Sequence, residues 1–388
     1  MTSSDALALA FWCLLIAGIY PYAIYPIVVG ILGRVRRKSV AASDGFQPTI
    51  TVVIAAFNEA KHIEDTVRNK LAQDYPRDRL RVIVVSDGSE DGTDDIVKRI
   101  GAEDSRVSLI RQTPRQGKTA GLNLALREAT SDVVVFSDAN SIYRPDAIAR
   151  LARNFADPEV GYVTGRMLYV NESGSLAGDG CTAYMRYENW LRAAETQLGS
   201  IVGADGGVDA VRRSLYIPMR ADQLPDFVLP LNVREQGKRV IYEPTAVLTE
   251  VSLSESGAEF RMRVRVALRA FWALWDKSAL LNPFRFGMFS WQLFSHKLLR
   301  YGSFVPLLLA AAINWALLDH GMLYVITAAG QVALAVLVLA TWLMPAAAER
   351  SQLARLASYF VLLNVASCLA AFRFLRGQKQ VLWKPRTG

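Results

Sequence analysis

The chain has 388 residues, of which 52% are hydrophobic and 21% are charged, and its formal net charge is +8. A soluble chain with this many charges is seldom so apolar, so the charged and apolar residues must occupy separate segments. The basic residues gather beside the apolar segments, which favours anionic lipid headgroups over nucleic acid as their partner. Cys13, Cys181 and Cys368 lack the spacing of a zinc site or a disulfide framework.

Four apolar segments have the length of roughly 20 residues that a membrane-spanning helix needs. They cover residues 6–32, 303–318, 321–344 and 353–371. The first segment is too long for a secretory signal, and basic residues at 34–38 come directly after it, which predicts a retained anchor with a cytoplasmic domain on its C-terminal side. Basic residues that flank membrane segments are usually cytoplasmic. Three further crossings from a cytoplasmic domain would instead leave the basic C-terminal tail outside the cell. One segment is therefore re-entrant or interfacial, or the count of four is wrong.

Between residue 49 and about residue 250, short β-branched runs alternate with helical stretches, as in a mostly parallel sheet covered by helices. The predicted strands cover residues 49–55, 82–85, 108–110, 133–136 and 161–166. The predicted helices cover residues 59–73, 91–100, 119–129 and 145–155. Ligands of such sheets gather at the carboxyl ends of the strands, and four polar motifs fall at these ends.

The first polar motif, AAFNE at residues 55–59, comes after a strand and opens a helix, where backbone N–H groups favour an anion. On its own it is equally typical of a helix start capped by Asn58. The second motif, SDGSEDGT at residues 86–93, matches the opening of a calcium-binding EF-hand loop, but Lys98 replaces the closing glutamate. Asp87 is predicted instead to accept hydrogen bonds from a base or a ribose.

The third motif, RQGKT at residues 115–119, ends like a P-loop, but Gln112 stands where a P-loop has its first glycine. An ATPase is a poor interpretation, while Lys118 at a helix start is suited to neutralise a phosphate. The fourth motif, FSDAN at residues 136–140, ends a buried strand in an acid. Mg²⁺ and Mn²⁺ take oxygen ligands, so Asp138 and Asn140 form a predicted half-site, although a single Asp after a strand is more often a cap.

In this order, the four motifs resemble the nucleotide-binding half of family 2 glycosyltransferases with the GT-A fold, similar to membrane-bound bacterial polysaccharide synthases. The resemblance continues through GADGG at 203–207, AVRR at 210–213, LPDF at 224–227, RMRVR at 261–265, SHKLLR at 295–300, Gly377 and WKP at 383–385. It implies an α/β GT-A domain, Rossmann-like with a mostly parallel sheet, joined to an α-helical transmembrane region.

The resemblance also implies a role for each matching residue. Asp226 would be the catalytic base and Arg265 would offset charge on the leaving diphosphate. Asp138 and Asn140 would hold Mg²⁺ or Mn²⁺. The donor would be bound by Ala56, Asn58, Glu59, Asp87, Lys118 and Asp138. The acceptor would meet Gly203, Ala204, Asp205 and Trp383.

Some of these residues also fit other roles. Asp226 fits a turn, the arginines at 261–269 fit a helix face that contacts headgroups, and Trp383 fits an interfacial anchor. The family pattern D-x-D reads DAN at 138–140, and Q-x-x-R-W reads MRVRV at 262–266. These departures keep two alternatives to polymerisation open: transfer of one sugar to polyprenyl phosphate, and a membrane scaffold that binds nucleotide sugar without turnover.

The sequence therefore predicts an inverting, metal-dependent glycosyltransferase of the inner (plasma) membrane, multi-pass, with a cytoplasmic catalytic domain. Its donor would be a nucleotide sugar, expected to be a UDP-sugar, and its acceptor a growing polysaccharide or a lipid-linked glycan. Nucleic acid is not expected as a partner, and a homo-oligomer is left open. The predicted organisation is an anchor with a basic flank at 1–38, the GT-A domain at 39–255, interfacial amphipathic helices at 256–300, transmembrane helices at 301–375 and a basic tail at 376–388.

Overall fold

The computed structural model describes residues 3–170, 180–251, 256–343 and 351–380. Contacts divide the chain into two units. The α/β unit contains the described residues of 32–177, 192–253 and 379–388, and the helical unit contains those of 1–31, 178–191 and 254–378. The predicted catalytic domain at 39–255 thus includes a described segment, 180–191, that groups with the helical unit.

The α/β unit is built on one sheet of eight strands. In chain order they are β1 (Ile50–Ala56), β2 (Leu80–Ser86), β3 (Val107–Arg111), β4 (Val133–Asp138), β5 (Ile142–Tyr143), β6 (Val160–Val170), β7 (Asp209–Arg212) and β8 (Arg239–Val251). Their spatial order is β3-β2-β1-β4-β7-β6-β8-β5. Strands β1 to β4 pair in parallel, β7 runs antiparallel to both β4 and β6, β6 and β8 are parallel, and β5 is antiparallel to β8.

Among the described residues, the α-helices in chain order are α1 (Ser3–Ile19), α2 (Ile24–Val35), α3 (Ile63–Leu71), α4 (Thr93–Glu103), α5 (Lys118–Glu128), α6 (Ala147–Ala152), α7 (Gly180–Leu198), α8 (Pro225–Glu235), α9 (Ser256–Asp276), α10 (Pro283–Phe286), α11 (Met288–Leu293), α12 (Arg300–Gly302), α13 (Phe304–Ala316), α14 (Met322–Leu343) and α15 (Gln352–Leu375). A π-helical segment, Phe294–Leu299, joins α11 to α12. Helices α3 to α6 come after strands of the sheet, as the alternating pattern predicts.

The central strands are buried because their sequences are almost entirely β-branched and aliphatic. Every residue of β1 is buried, and so is every residue of β4 except Asp138 at its end. A strand that helices cover on both faces needs such a continuous apolar run. The predicted mostly parallel α/β fold is confirmed, and each predicted strand corresponds to an observed one.

Strands β5, β7 and β8 have no counterpart among the predicted strands, and β5 is only two residues long. Strand β7 is only four residues long, and β8 carries charged residues that interrupt its apolar pattern. One of these, Glu243, is buried, and its carboxylate accepts hydrogen bonds from Arg153 (3.0 Å) and Asn154 (3.1 Å). Partners distant in sequence make this burial possible, so the local pattern of residues 239–251 does not reveal the strand.

Two helices of the described chain are long and apolar enough to cross a membrane, namely α14 over Met322–Thr341 and α15. Two further pairs of consecutive helices, each bent at a short break, are long and apolar enough only when the two helices of a pair are counted as one span. Counting each pair as one span would raise the number of spans to four. The pairs are Ser4–Ile19 with Ile24–Val35, bent by 55°, and Met288–Gly302 with Phe304–Ala316, bent by 54°.

The predicted segments 321–344 and 353–371 correspond, in their described residues, to α14 and α15. The predicted segment 6–32 is instead broken between α1 and α2, because Pro21 lacks the N–H that a continuous helix requires. The predicted segment 303–318 forms the 13-residue helix α13, which at 1.5 Å per residue is too short to span a bilayer alone.

Candidate active site

The acidic motifs meet at one edge of the sheet because β2, β1 and β4 are parallel neighbours. Ala56 at the end of β1 pairs with Ser86, so Asp87 comes next on one side. Asp138 at the end of β4 pairs with Ala55 on the other side. The register therefore places the second and fourth polar motifs on either side of the first, at the carboxyl edge where ligands of open α/β sheets bind.

Lys118 connects two predicted site carboxylates that lie far apart in sequence. Its Nζ lies 2.7 Å from Oδ1 of Asp138 and 4.0 Å from Oδ1 of Asp226. Burial lowers the pKa of Lys118, but the negative charges of Asp138 and Asp226 outweigh this effect and raise it above its ordinary value. The ammonium group therefore stays charged between the predicted donor-binding carboxylate and the predicted base.

Asp87 holds the loop that precedes Lys118. Its Oδ1 accepts hydrogen bonds from the backbone N–H groups of Gln116 (2.9 Å) and Gly117 (3.1 Å). Its Oδ2 accepts a hydrogen bond from Nε of Arg115 at 3.1 Å. The Arg115 guanidinium in turn lies 3.5 Å above the centre of the Phe57 ring. Asp87 thus orients the start of α5, and its predicted contact with the donor's base or ribose stays a prediction.

Asn58 does not cap the helix after β1, because α3 begins at Ile63 with His62 at its N-cap. Asn58 has a φ of +54°, and its side-chain oxygen accepts a hydrogen bond from the N–H of Glu90 at 2.9 Å. The N–H of Glu59 donates to Oγ1 of Thr93 at 2.9 Å. Ala56, Asn58 and Glu59 therefore belong to a loop that is tied to the acidic turn, and their predicted role in donor binding is untested.

The loop that carries Asp138 and Asn140 is held from the side of α3 and β8. Oγ1 of Thr66 donates to the carbonyl of Ala139 at 2.7 Å, and Nδ2 of Asn140 donates to Oε1 of Glu250 at 3.2 Å. Glu250 is buried near the end of β8, and sequence reasoning did not identify it. The sequence signal for Glu250 is an acidic residue inside an otherwise apolar run, and one such residue is weak evidence of a functional site.

The described residues contain no group of three or more His, Cys, Asp or Glu side chains that would hold a metal ion. The oxygens at this edge come instead from Asp138, from the Asn140 amide and from Glu250, which contacts Asn140. Carboxylate and amide oxygens suit Mg²⁺ and Mn²⁺, which keep several ligands from water or substrate phosphates. The side chains present therefore fit an ion whose remaining ligands come from a bound diphosphate.

Asp226 lies in the first turn of α8, after Pro225, and packs closely against the GADGG loop. Its carbonyl accepts a hydrogen bond from the N–H of Ala204 at 3.3 Å. Gly206 has a φ of +84°, and a Cβ atom built on it would lie 2.7 Å from Cγ of Asp226. Gly206 is therefore required both by its backbone conformation and by the close approach of the Asp226 carboxylate.

The adjacent Asp205 has a different partner. Both of its carboxylate oxygens accept hydrogen bonds from the guanidinium of Arg192, and both side chains are largely buried. Such a two-pronged ion pair fixes the geometry of the loop at 203–207. The predicted contact of Gly203, Ala204 and Asp205 with an acceptor remains a prediction.

Substituting Gly206 with Ala is expected to lower kcat/KM by about tenfold to a hundredfold, because the new Cβ displaces the Asp226 carboxylate. The matched control is Gly237→Ala, since Gly237 has a φ of +80° and open space around its Cα. Both substitutions carry a similar backbone cost of about 1–2 kcal/mol in the free energy of unfolding. Steady-state kinetics and thermal unfolding of the two variants separate the effects. Equal activity of the two variants would contradict this role of Gly206.

Asp209 is a second buried carboxyl group that sequence reasoning did not identify. It lies on β7 opposite Thr164 of β6, and its side chain is almost completely buried. Burial, followed by the negative charge of Asp226, raises the pKa of Asp209 to about 7. Its charge, and with it the electrostatic field at Asp226, therefore changes near neutral pH.

Because the folded pKa of Asp209 lies above the ordinary 3.8, the native state binds this proton more tightly than the unfolded chain does. The resulting stabilisation is complete below the ordinary pKa and is lost as the pH rises towards 7. Between about pH 5 and pH 8 the loss amounts to roughly 2–3 kcal/mol. Asp209→Asn is expected to abolish this fall in the thermal unfolding midpoint. The exposed Asp95→Asn control is expected to keep it, and an unchanged pH dependence in Asp209→Asn would refute the assignment.

Two predicted site residues do not belong to the described part of the α/β unit. Arg265 is on α9, in the helical unit. Trp383 lies outside the residues that the structure describes. The roles predicted for both, in offsetting diphosphate charge and in meeting the acceptor, remain predictions.

A mostly parallel sheet with acidic motifs at its strand ends and an adjoining antiparallel strand is the architecture expected of a GT-A fold. Residues 51–216 match the family model for glycosyl transferase family 2. The chain therefore carries a family 2 glycosyltransferase domain, and the predicted family and enzyme class are confirmed.

Two curated proteins are similar to a large part of this chain. Over 240 residues it is 28% identical to a poly-beta-1,6-N-acetyl-D-glucosamine synthase of Staphylococcus aureus (strain COL), which covers 61% of this chain and 56% of that protein. Over 242 residues it is 26% identical to an N-acetylglucosaminyltransferase of Rhizobium leguminosarum bv. viciae, which covers 58% of this chain and 56% of that protein. The chain thus spans about half the length of the curated relatives it matches.

A solved structure shares the fold over almost the whole chain. It is the mannosyltransferase PcManGT from Pyrobaculum calidifontis, in complex with GDP-Man and Mn²⁺. The TM-score is 0.72 at 24% sequence identity, and the match covers 96% of this chain and 99% of the other. At this identity the comparison establishes the fold.

Proposed function

We propose that this chain is a metal-dependent, inverting glycosyltransferase that moves a sugar from a nucleotide-sugar donor to a growing polysaccharide or a lipid-linked glycan at the membrane. The observation that carries the proposal is the position of Lys118 Nζ, within 2.7 Å of Asp138 and 4.0 Å of Asp226. The leaving diphosphate requires a cation such as Lys118, and the acceptor hydroxyl requires a base such as Asp226, and the two must lie side by side. Relatives named as an N-acetylglucosaminyltransferase and a polymer synthase support this class of reaction.

The chemistry divides between two sides of the sugar's anomeric carbon. Asp226, partly exposed at the start of α8, accepts the proton of the acceptor hydroxyl as that oxygen attacks. Lys118 and Arg265 offset the charge that develops on the leaving diphosphate. A Mg²⁺ or Mn²⁺ ion held by Asp138 and Asn140 supplies further neutralisation of the diphosphate when bound. One in-line displacement inverts the anomeric configuration without a covalent sugar–enzyme link.

We place the enzyme in the inner (plasma) membrane with the catalytic domain in the cytoplasm. Helices α14 and α15 meet the length and composition of a span, and the basic residues at 34–38 favour a cytoplasmic position for the α/β domain on their C-terminal side. The cytoplasm also supplies nucleotide sugars. Accessibility of cysteines, introduced singly into exposed loops of the α/β unit, to a membrane-impermeant thiol reagent tests this orientation.

The function is tested with purified full-length protein, a panel of UDP- and GDP-sugars, and Mn²⁺, Mg²⁺ or a chelator. We expect release of the nucleoside diphosphate from one donor, and loss of at least about 90% of the rate on chelation, because the leaving diphosphate then lacks the neutralisation that the metal ion supplies. Readdition of Mn²⁺ restores the rate. Donor binding without turnover under every condition would contradict an enzyme and support the scaffold alternative.

A second candidate is transfer of one sugar to polyprenyl phosphate. The observation that favours it is the sequence MRVRV at 262–266, which lacks the tryptophan of the polymerase pattern. Product length separates the two candidates. A ladder of oligomers indicates polymerisation, and a single lipid-linked product indicates single transfer.

A further inference from the structure

One face of α3 holds the loop that carries the predicted metal ligands, which we call the DAN loop (residues 138–141). Thr66 and Lys70 are four residues apart on α3 and are therefore neighbours on its surface. Oγ1 of the buried Thr66 donates to the carbonyl of Ala139 at 2.7 Å. Nζ of Lys70, which is also buried, donates to the carbonyl of Ser141 at 2.5 Å. These hydrogen bonds fix the backbone of the loop from inside the α/β unit.

Tyr143, on β5 directly after the DAN loop, is held by the same face of α3. Its backbone N–H donates to Oδ1 of Asn69 at 2.8 Å, and its carbonyl accepts from Nδ2 of the same side chain at 2.9 Å. The centre of its ring lies 3.8 Å from Nζ of Lys70. The whole residue is buried. Helix α3 therefore determines where the ring and the hydroxyl group of Tyr143 lie.

The hydroxyl group of Tyr143 reaches the GADGG loop (residues 203–207). Its oxygen lies 2.6 Å from the carbonyl oxygen of Gly207 and 2.9 Å from that of Phe136 on β4. A phenol has one proton to donate, so the two carbonyls share it. The two loops also meet directly, since a Cβ atom built on Gly207 would lie 3.4 Å from Oγ of Ser141. A buried hydroxyl thus joins the DAN loop to the GADGG loop.

This link lies beyond the end of a strand ladder. Strands β4 and β7 pair from Val133 to Phe136, whose partner is Asp209. The DAN loop begins after that point on β4, and the GADGG loop ends before it on β7, so neither loop belongs to the ladder. The Tyr143 hydroxyl contacts both the last paired residue of β4 and Gly207. It therefore extends the connection between the two strands into their loops.

The two loops carry opposite halves of the proposed reaction. The DAN loop contains the predicted metal ligands Asp138 and Asn140, and the GADGG loop packs against Asp226 through Gly206. An in-line displacement requires the leaving diphosphate and the attacking hydroxyl in a fixed relative position, and a misplacement of about 1 Å can cost about 10²-fold in rate. A hydrogen bond that joins the loops therefore bears on the rate of transfer.

We propose that Tyr143 is a positioning residue that fixes the separation between the predicted metal ligands and the proposed base Asp226. The inference rests on the proposed function and deepens it. When the hydroxyl is removed, the DAN loop keeps its hydrogen bonds to Thr66 and Lys70, and the GADGG loop keeps the ion pair of Asp205. Each half then binds its own ligand as before, but the two halves are aligned for reaction less often.

Tyr143→Phe in the full-length chain is expected to lower kcat by about tenfold, with the donor KM and the affinity for Mn²⁺ nearly unchanged. The substitution removes the hydroxyl and keeps the ring against Lys70. The matched control is Tyr75→Phe, which also removes a buried hydroxyl, one that donates to the carbonyl of Pro48 at 2.6 Å, before the start of β1. The control is expected to keep the wild-type kcat at a similar shift in thermal unfolding. Equal kcat values of the two variants would overturn the proposal.

Thr66→Val loosens the anchor on α3 instead of the link between the loops. It removes a donor from the carbonyl of Ala139, which lies between the two predicted metal ligands, and loss of a group that orients a metal ligand usually weakens binding by about 10–100-fold. We expect binding of Mn²⁺ to weaken by about tenfold, as measured by electron paramagnetic resonance with the donor's nucleoside diphosphate present. Saturating Mn²⁺ should restore kcat in Thr66→Val but not in Tyr143→Phe. Restoration of both variants would contradict the role of Tyr143.

Amide hydrogen exchange tests the link without any transfer of sugar, and Thr66→Val keeps this test valid if Tyr143→Phe fails to fold. Both variants are expected to accelerate exchange at residues 203–208, since a looser DAN loop loosens the GADGG loop through Tyr143. Tyr75→Phe is expected to leave exchange there at the wild-type rate. Wild-type exchange in the first two variants would overturn the link, whether or not the wild type is an active enzyme. Faster exchange in a chain that turns over no donor would support the link and contradict the proposed function alone.

Discussion

Asp226→Asn is expected to lower kcat by about 10²–10⁴-fold, the range that a positioned general base contributes. The asparagine side chain has almost the same shape but cannot accept the proton of the acceptor hydroxyl. Asp226 lies in the first turn of α8, and its Oδ1 is 4.0 Å from Nζ of Lys118. Initial rates of nucleoside diphosphate release, at saturating donor and acceptor, measure the effect.

The matched control for this variant is Glu235→Gln at the other end of the same helix, which is expected to keep the wild-type rate. Donor affinity should be nearly unchanged in Asp226→Asn, because the base acts on the acceptor. Isothermal titration with the donor's nucleoside diphosphate checks this point. If Asp226→Asn retained the wild-type kcat, the base would have to be a different residue.

Lys118→Met is expected to lower kcat/KM by about 10²–10³-fold, because it removes a fixed positive charge from the leaving diphosphate. It also leaves Asp138 and Asp226 without the cation between them. Mutual repulsion then raises the pKa of these carboxyl groups. The acidic limb of the pH–rate profile is therefore expected to move to higher pH in this variant, which a purely structural role of Lys118 would not produce.

The control for Lys118→Met is Lys98→Met on α4, where an exposed lysine makes a surface ion pair with Asp95 at 3.2 Å. That pair contributes about 0–1 kcal/mol to stability, so activity should be unchanged. Lys118→Arg keeps the charge and is expected to recover part of the loss. A pH–rate profile that matches the wild type in Lys118→Met would rule out its electrostatic role.

Glu250 and Asp209 show which parts of the site were not predictable from sequence. Both are acids inside strands, and neither belongs to a motif. Glu250 contacts Asn140 through a pairing of distant segments, and Asp209 becomes relevant because folding places it near Asp226. Local pattern carries no information about such neighbours, because they depend on how strands separated by 70 residues or more are arranged, as β4 and β7 are in the sheet.

The sequence by itself determined the class of fold and, through the resemblance of its motifs, the family, and it singled out Asp138, Lys118 and Asp226 as candidate site residues. Alternating β-branched runs dictate buried parallel strands, and motifs after those strands must lie at one edge. Only the tertiary structure decided that Lys118 bridges two carboxylates, that Asp87 holds the loop before α5, and that residues 6–32 break into two helices. Side-chain partners are chosen by packing and by the burial of charge, and both are properties of the folded chain as a whole.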